Sequence, residues 1–163
     1  MVYWFTGLSG AGKTTLGKLW LEELKMHGEN PIFLDGDELR FVFGGDLGYS
    51  EQDRRKSAMR NARICEMLSK QGFTVICCTI SMFDSVRDYN RENIPDYREI
   101  YVKVSPEVLK KRDQKGLYTG ADSDVAGVHF SVEEPNTSDI VLENSGEIPP
   151  EKQIEILRNQ FLK

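Results

Sequence analysis

Nine residues, Gly7-Leu-Ser-Gly-Ala-Gly-Lys-Thr-Thr15, constrain this chain more than any other stretch. They fit G-x-x-x-x-G-K-[ST], directly after the apolar, β-prone run Val2–Thr6 and directly before the helix-periodic segment Leu16 to Met26. In a strand–loop–helix context such glycines let backbone N–H groups turn inward around phosphate oxygens, and the helix adds its positive N-terminal end. The expected cradle is Gly7, Ser9, Gly10, Ala11, Gly12, Lys13, Thr14 and Thr15, with Lys13 reaching the β- and γ-phosphates and the Thr14 hydroxyl ligating Mg²⁺. The competing reading is a glycine-rich turn that opens an ordinary helix.

The rest of the chain supports a nucleotide-binding α/β domain. Strand-like runs occur at Val2–Thr6, Ile32–Leu34, Thr74–Ile80, Glu99–Val104 and Ile140–Leu142. Helical patterns fall between them, at Thr14–His27, Glu51–Gln71, Ser85–Asn93, Pro106–Arg112 and Pro149–Leu162. Short continuous apolar runs alternating with helices predict a five-stranded parallel sheet covered on both faces. With 163 residues the expectation is one domain spanning 1–163. Ligands of such sheets bind at the carboxyl ends of the strands. The phosphate loop, Asp35-Gly-Asp37 and Ile80-Ser81 should therefore converge on one crevice. Segment 116–135 has few large apolar residues and suits a mobile lid over it. Ser50 with Asp53 resembles a capping box. Residues 135–163 are assigned packing duty only.

A net charge of −5 offers no broad basic field for nucleic acid or anionic lipid, so neither is an expected partner. No run is long and apolar enough to span a membrane, and no signal-like segment opens the sequence, so a cytoplasmic location is expected. The three cysteines lack metal-ligand spacing and read as buried thiols; Cys77 and Cys78, adjacent on a strand, should face opposite sides of the sheet.

Leu34-Asp35-Gly-Asp37-Glu-Leu-Arg40 closes the second strand. Its two carboxylates could serve Mg²⁺ and accept a proton from an alcohol, or simply cap a helix. Asp37 is the candidate base and Asp35 the candidate metal-side carboxylate, although sequence does not separate the roles. Arg40 and Arg54 can clamp phosphate-like oxygens, whereas Arg60 reads as solvent-facing decoration. Tyr49 could stack on a base or pack in the core. His27 reads as a helix-end residue, and His129 as a candidate lining of the acceptor pocket.

The phosphate loop, Leu34–Arg40, Asp46-Leu-Gly-Tyr-Ser50, Asp53-Arg54, Ile80-Ser81 and Arg112-Asp-Gln-Lys-Gly-Leu-Tyr118 resemble the adenylyl-sulfate kinase family in order and spacing, from about Tyr3 to Pro135. The resemblance implies a P-loop kinase fold. It also implies ATP as phosphoryl donor with Mg²⁺, and a small-molecule nucleotide acceptor phosphorylated on its ribose 3′-hydroxyl. Asp37 would activate that hydroxyl, with Arg40, Arg54, Ser57, Ile80, Ser81 and Lys115 at the acceptor and Arg112 against the ATP adenine. Relatives often pair, so a homodimer is a further expectation.

The departures from that pattern gather on the acceptor side. The family's Asn-Ile-Arg-Arg reads Ser57-Ala58-Met59-Arg60, its Phe before the helix is Tyr49, and its Ile-Ser-Pro is Ile80-Ser81-Met82. A basic stretch after Tyr118 becomes Thr119-Gly-Ala-Asp-Ser-Asp124, and the lid phenylalanine falls at Val125. Losing that aromatic removes stacking worth roughly 1–3 kcal/mol. Lost cations and gained carboxylates disfavour a strongly anionic acceptor. The altered set resembles the cytidine diphosphoramidate kinases of capsular polysaccharide biosynthesis, which implies cytidine diphosphoramidate as acceptor. The alternative is an adenylyl-sulfate kinase. A GTPase-like switch is remote, because the guanine-reading Asn/Thr-Lys-x-Asp element is missing from the sequence.

Overall fold

The computed structural model describes residues 1–112 and 131–162. Five strands form one sheet: β1 (Val2–Thr6), β2 (Ile32–Asp35), β3 (Val75–Cys78), β4 (Tyr97–Lys103) and β5 (Ile140–Glu143). Their spatial order is β2-β3-β1-β4-β5 and each neighbouring pair is parallel. The helices are α1 (Lys13–Met26), α2 (Gly36–Val42), α3 (Glu51–Lys70), α4 (Asp84–Asn93), α5 (Pro106–Lys111) and α6 (Pro150–Phe161).

Side-chain alternation on the central strand builds a core on each face. Tyr3 and Phe5 join Leu16, Trp20 and Leu24 of α1 and Ile154 and Leu157 of α6. Val2 and Trp4 join Ala58, Ala62 and Cys65 of α3 and Val86 of α4. Cys78 belongs to the first layer and Cys77 to the second, as strand geometry requires, and all three cysteines are free, buried thiols. On the first face Tyr3 meets Trp20 edge-on at 5.3 Å. A two-pronged ion pair from Arg158 to Glu23 (2.6 and 2.8 Å) ties α6 to α1. Among the described residues no helix is long and apolar enough to cross a membrane.

Two local differences from expectation bear on function. The periodic pattern misses α2, because a seven-residue helix that buries none of its side chains carries no apolar stripe. The third strand ends at Cys78, two residues early. Thr79 still donates its N–H to the Phe5 carbonyl (3.0 Å), but the Thr6 hydroxyl then takes the Ile80 carbonyl (2.7 Å) and Ser81 adopts φ 27°. That left-handed backbone turns the chain off the sheet and into the crevice.

Candidate active site

A cavity of about 550 Å³ opens at the carboxyl ends of the strands. The phosphate loop follows the central strand β1, and Gly12 caps α1 in the left-handed region (φ 95°). Only glycine fits there easily, since a Cβ would also stand 2.5 Å from the Asn144 amide nitrogen. Ser9, Gly10, Gly12, Lys13, Thr14 and Thr15 line the cavity. Gly7 and Ala11 lie behind the loop: a Cβ on Gly7 would collide with the Val102 carbonyl, and Ala11 is buried in the core. Lys13 is largely buried, and its Nζ donates to the Leu8 carbonyl (2.7 Å), arching back over the loop.

Asp35 ends β2 beside the loop. Its Oδ2 accepts from the Thr14 hydroxyl (2.6 Å) and its Oδ1 from the Asp37 backbone N–H (2.9 Å). The capping and site readings of this residue therefore hold together: one oxygen starts α2, and the other faces the threonine that opens α1. Two hard oxygen donors side by side suit Mg²⁺, which takes few protein ligands and shares the rest with water and phosphates. Among the described residues no group of three or more His, Cys, Asp or Glu gathers to hold a metal. Asp37 stands in the first turn of α2, exposed, on the cavity wall. Cys78 also lines the cavity, but burial pushes its thiol well up, so it stays protonated.

The same cavity gathers Arg40, Tyr49, Arg54, Ser57, Ile80 and Ser81. Arg40 donates to the Leu47 and Gly48 carbonyls (3.0 and 2.8 Å), and Arg54 to the Tyr49 carbonyl (2.9 Å). Their guanidinium carbons stand 4.6 and 5.2 Å from the centre of the Tyr49 ring, which is 57% exposed. Tyr49 is therefore not core packing; its ring orders two cations at the mouth of the cavity. Ser50 accepts from the Asp53 N–H (3.2 Å), the first half of the expected capping box, but the Asp53 carboxylate accepts from Gly48 instead (3.1 Å). Arg60 is held by both oxygens of Asp46 (2.8 and 2.7 Å) and does not line the cavity.

Arg112 lines the far side, near Gly146. Lys115, Val125 and His129, together with residues 116–130 of the expected lid, lie outside the described residues. The end of that segment is anchored to the β3–α4 loop: Glu133 donates its N–H to the Met82 carbonyl (3.1 Å), its carboxylate accepts from the Asp84 N–H, and Val132 lines the cavity.

Sequence reasoning missed Asn61, Thr79 and the 144–150 segment. Asn61 lies one helical turn beyond Ser57, so the spacing of α3 could have found it. Asn144, Gly146, Ile148, Pro149 and Pro150 correct the assignment of the C-terminal region to packing alone, because they line the cavity. Asn144 directly follows β5 and donates to the Ala11 carbonyl (2.7 Å), while Gln153 supports it (3.3 Å). The strand-end rule applied to β5 would have placed it there.

Residues 1–143 match the family described as adenylylsulphate kinase. The chain belongs to that family. It is 41% identical over 160 residues to the cytidine diphosphoramidate kinase of Campylobacter jejuni, covering 96% of this chain and 93% of that one. It is 37% identical over 149 residues to the adenylyl-sulfate kinase of Bacillus velezensis, covering 88% and 76%. The APS kinase of Mycobacterium tuberculosis, solved in complex with AMPPNP and APS, superposes with a TM-score of 0.90 at 27% identity, covering 99% and 97%. The family assignment and the fold make this chain a P-loop kinase, a phosphotransferase acting on a hydroxyl group.

Proposed function

We propose that this kinase transfers the γ-phosphoryl group of ATP to the ribose 3′-hydroxyl of cytidine diphosphoramidate, in capsular polysaccharide biosynthesis. The observation that carries this reading is the 41% identity to the C. jejuni kinase across nearly the full length of both chains. The neutral wall at Ser57-Ala58 and Tyr49 at the mouth support it, because they lie among the residues that depart from the adenylyl-sulfate kinase pattern.

The loop amides around Ser9 to Thr14 and the Lys13 ammonium hold the donor phosphates, and Arg112 lies against the adenine. Thr14 and Asp35 would hold Mg²⁺, which supplies positive charge to the phosphate oxygens. Arg40 and Arg54 fix the acceptor's phosphates, Ile80 and Ser81 contact it, and Asp37 accepts the proton of the attacking hydroxyl. Lys115 and Val125 are the further acceptor contacts that the family resemblance implies. The enzyme works in the cytoplasm as a homodimer.

Adenylyl sulfate is the competing acceptor, favoured by the likeness to the M. tuberculosis enzyme solved with APS. Separate turnover assays with Mg-ATP and each acceptor, following ADP release, decide between them. A higher kcat/KM for the cytidine compound is expected; a higher value for adenylyl sulfate overturns the assignment.

A further inference from the structure

Arg54, Ser57, Ala58 and Asn61 follow one another at i, i+3, i+4 and i+7 on α3, and all four line the cavity. Along this face the wall changes from a cation at the mouth to uncharged groups at the floor. Asn61 is 2% exposed, and such a buried amide in a helix otherwise packed on apolar neighbours requires a reason. Its Nδ2 donates to the Thr79 hydroxyl (3.4 Å), and the Thr79 and Ser81 hydroxyls are 2.8 Å apart. An amide nitrogen only donates, so the Thr79 oxygen accepts from Asn61 and can pass its own proton to Ser81. In this arrangement the Asn61 amide nitrogen faces the Thr79 hydroxyl and the amide oxygen is turned away from it. Its Oδ1 remains an acceptor, with no donor among the described residues.

We propose that Asn61, oriented by Thr79 and Ser81, reads the terminal P–NH₂ group of the acceptor and discriminates it from a terminal oxyanion. This rests on the cytidine diphosphoramidate reading above. An acceptor whose phosphates lie on Arg40 and Arg54 places its far end against the neutral floor. There an N–H₂ group can donate to Asn61 Oδ1. An oxyanion in its place meets another acceptor, Asn61 Oδ1, and forfeits the bond that the N–H₂ group makes there. Asn61 is thus a specificity residue and Thr79 a positioning residue.

The test compares cytidine diphosphoramidate with cytidine diphosphate, which differ at that one group. The wild-type enzyme should favour the amidate by about tenfold or more in kcat/KM. Asn61→Leu should erase the preference while leaving the KM for ATP unchanged. Thr79→Val, of the same shape, frees the amide to turn its N–H₂ into the cavity and should also collapse the ratio; it carries the test if Asn61→Leu does not fold. A wild-type enzyme indifferent to the two compounds overturns the proposal. So does an unchanged ratio in the folded variants, and with the amidate still the preferred substrate that result leaves the acceptor assignment intact. Turnover of adenylyl sulfate and of neither cytidine compound overturns the acceptor assignment and this proposal with it.

Discussion

The Thr14 hydroxyl donates to Asp35 Oδ2 across 2.6 Å, joining the first turn of the helix after the phosphate loop to the end of the neighbouring strand but one. The contact brings together two oxygen donors from positions 21 residues apart. It also lets one carboxylate cap α2 through Oδ1 while Oδ2 stands beside Thr14 as the proposed metal-side donor.

Asp35→Asn separates these roles, because asparagine caps a helix as well as aspartate does. Thermal stability should change little, while turnover falls roughly 10²–10³-fold, the size of effect expected from losing a charged metal ligand. Titrating Mg²⁺ should restore part of the loss. Near-normal turnover would leave Asp35 a cap only.

Asp37 stands exposed on the wall, two residues on, and its carboxylate is the proposed base. Asp37→Asn should lower kcat by roughly 10²–10⁴ with the Kd for ATP retained. A parallel loss of ATP binding would move Asp37 to the donor side.

Asn144 holds the Ala11 carbonyl, and with it the shape of the phosphate loop. Asn144→Leu strands that buried carbonyl and should cost about 1–3 kcal/mol of stability, with a higher KM for ATP. Gly12→Ala should damage ATP binding more, since it adds both the strain of φ 95° and a contact with the Asn144 amide. Isothermal titration with a non-hydrolysable ATP analogue measures both.

How far these features could be read in advance depended on whether they leave a periodic or spaced signal. The phosphate loop, the parallel sheet and the convergence of Asp35, Asp37, Ile80 and Ser81 follow from motif spacing and the strand-end rule. The place of Arg40 and Arg54 at the acceptor is instead what the family resemblance implies. Helix α2 buries nothing and so leaves no apolar period. The left-handed Ser81 depends on a bond from Thr6, 74 residues away from Ile80 in sequence, that no local pattern encodes. Asn144 was readable in principle, because β5 delivers it to the same edge of the sheet, yet a lone asparagine after a short strand carries no motif. Arg60 belongs to the opposite case: its bond to Asp46 is a loop brace that looks like any exposed arginine in sequence.

The Glu23–Arg158 pair predicts an acid-side loss of stability. The Arg158 guanidinium bonded to Glu23 holds its carboxyl below the usual carboxylate range. A folded pKa lower than the unfolded one means the unfolded chain binds the proton first. The stabilisation is then present above the unfolded pKa and fades as pH falls through the depressed folded value. Arg158→Gln should lower the melting temperature at neutral pH, and the difference from wild type should shrink toward pH 3. An equal deficit at both pH values would contradict the pairing.

The central claim is tested most directly by offering cytidine diphosphoramidate and adenylyl sulfate together with Mg-ATP and reading the products by phosphorus NMR. The account predicts a new phosphate monoester on the 3′-oxygen of the cytidine compound, with adenylyl sulfate largely unconsumed. Accumulation of 3′-phosphoadenylyl sulfate with the cytidine compound untouched would contradict it.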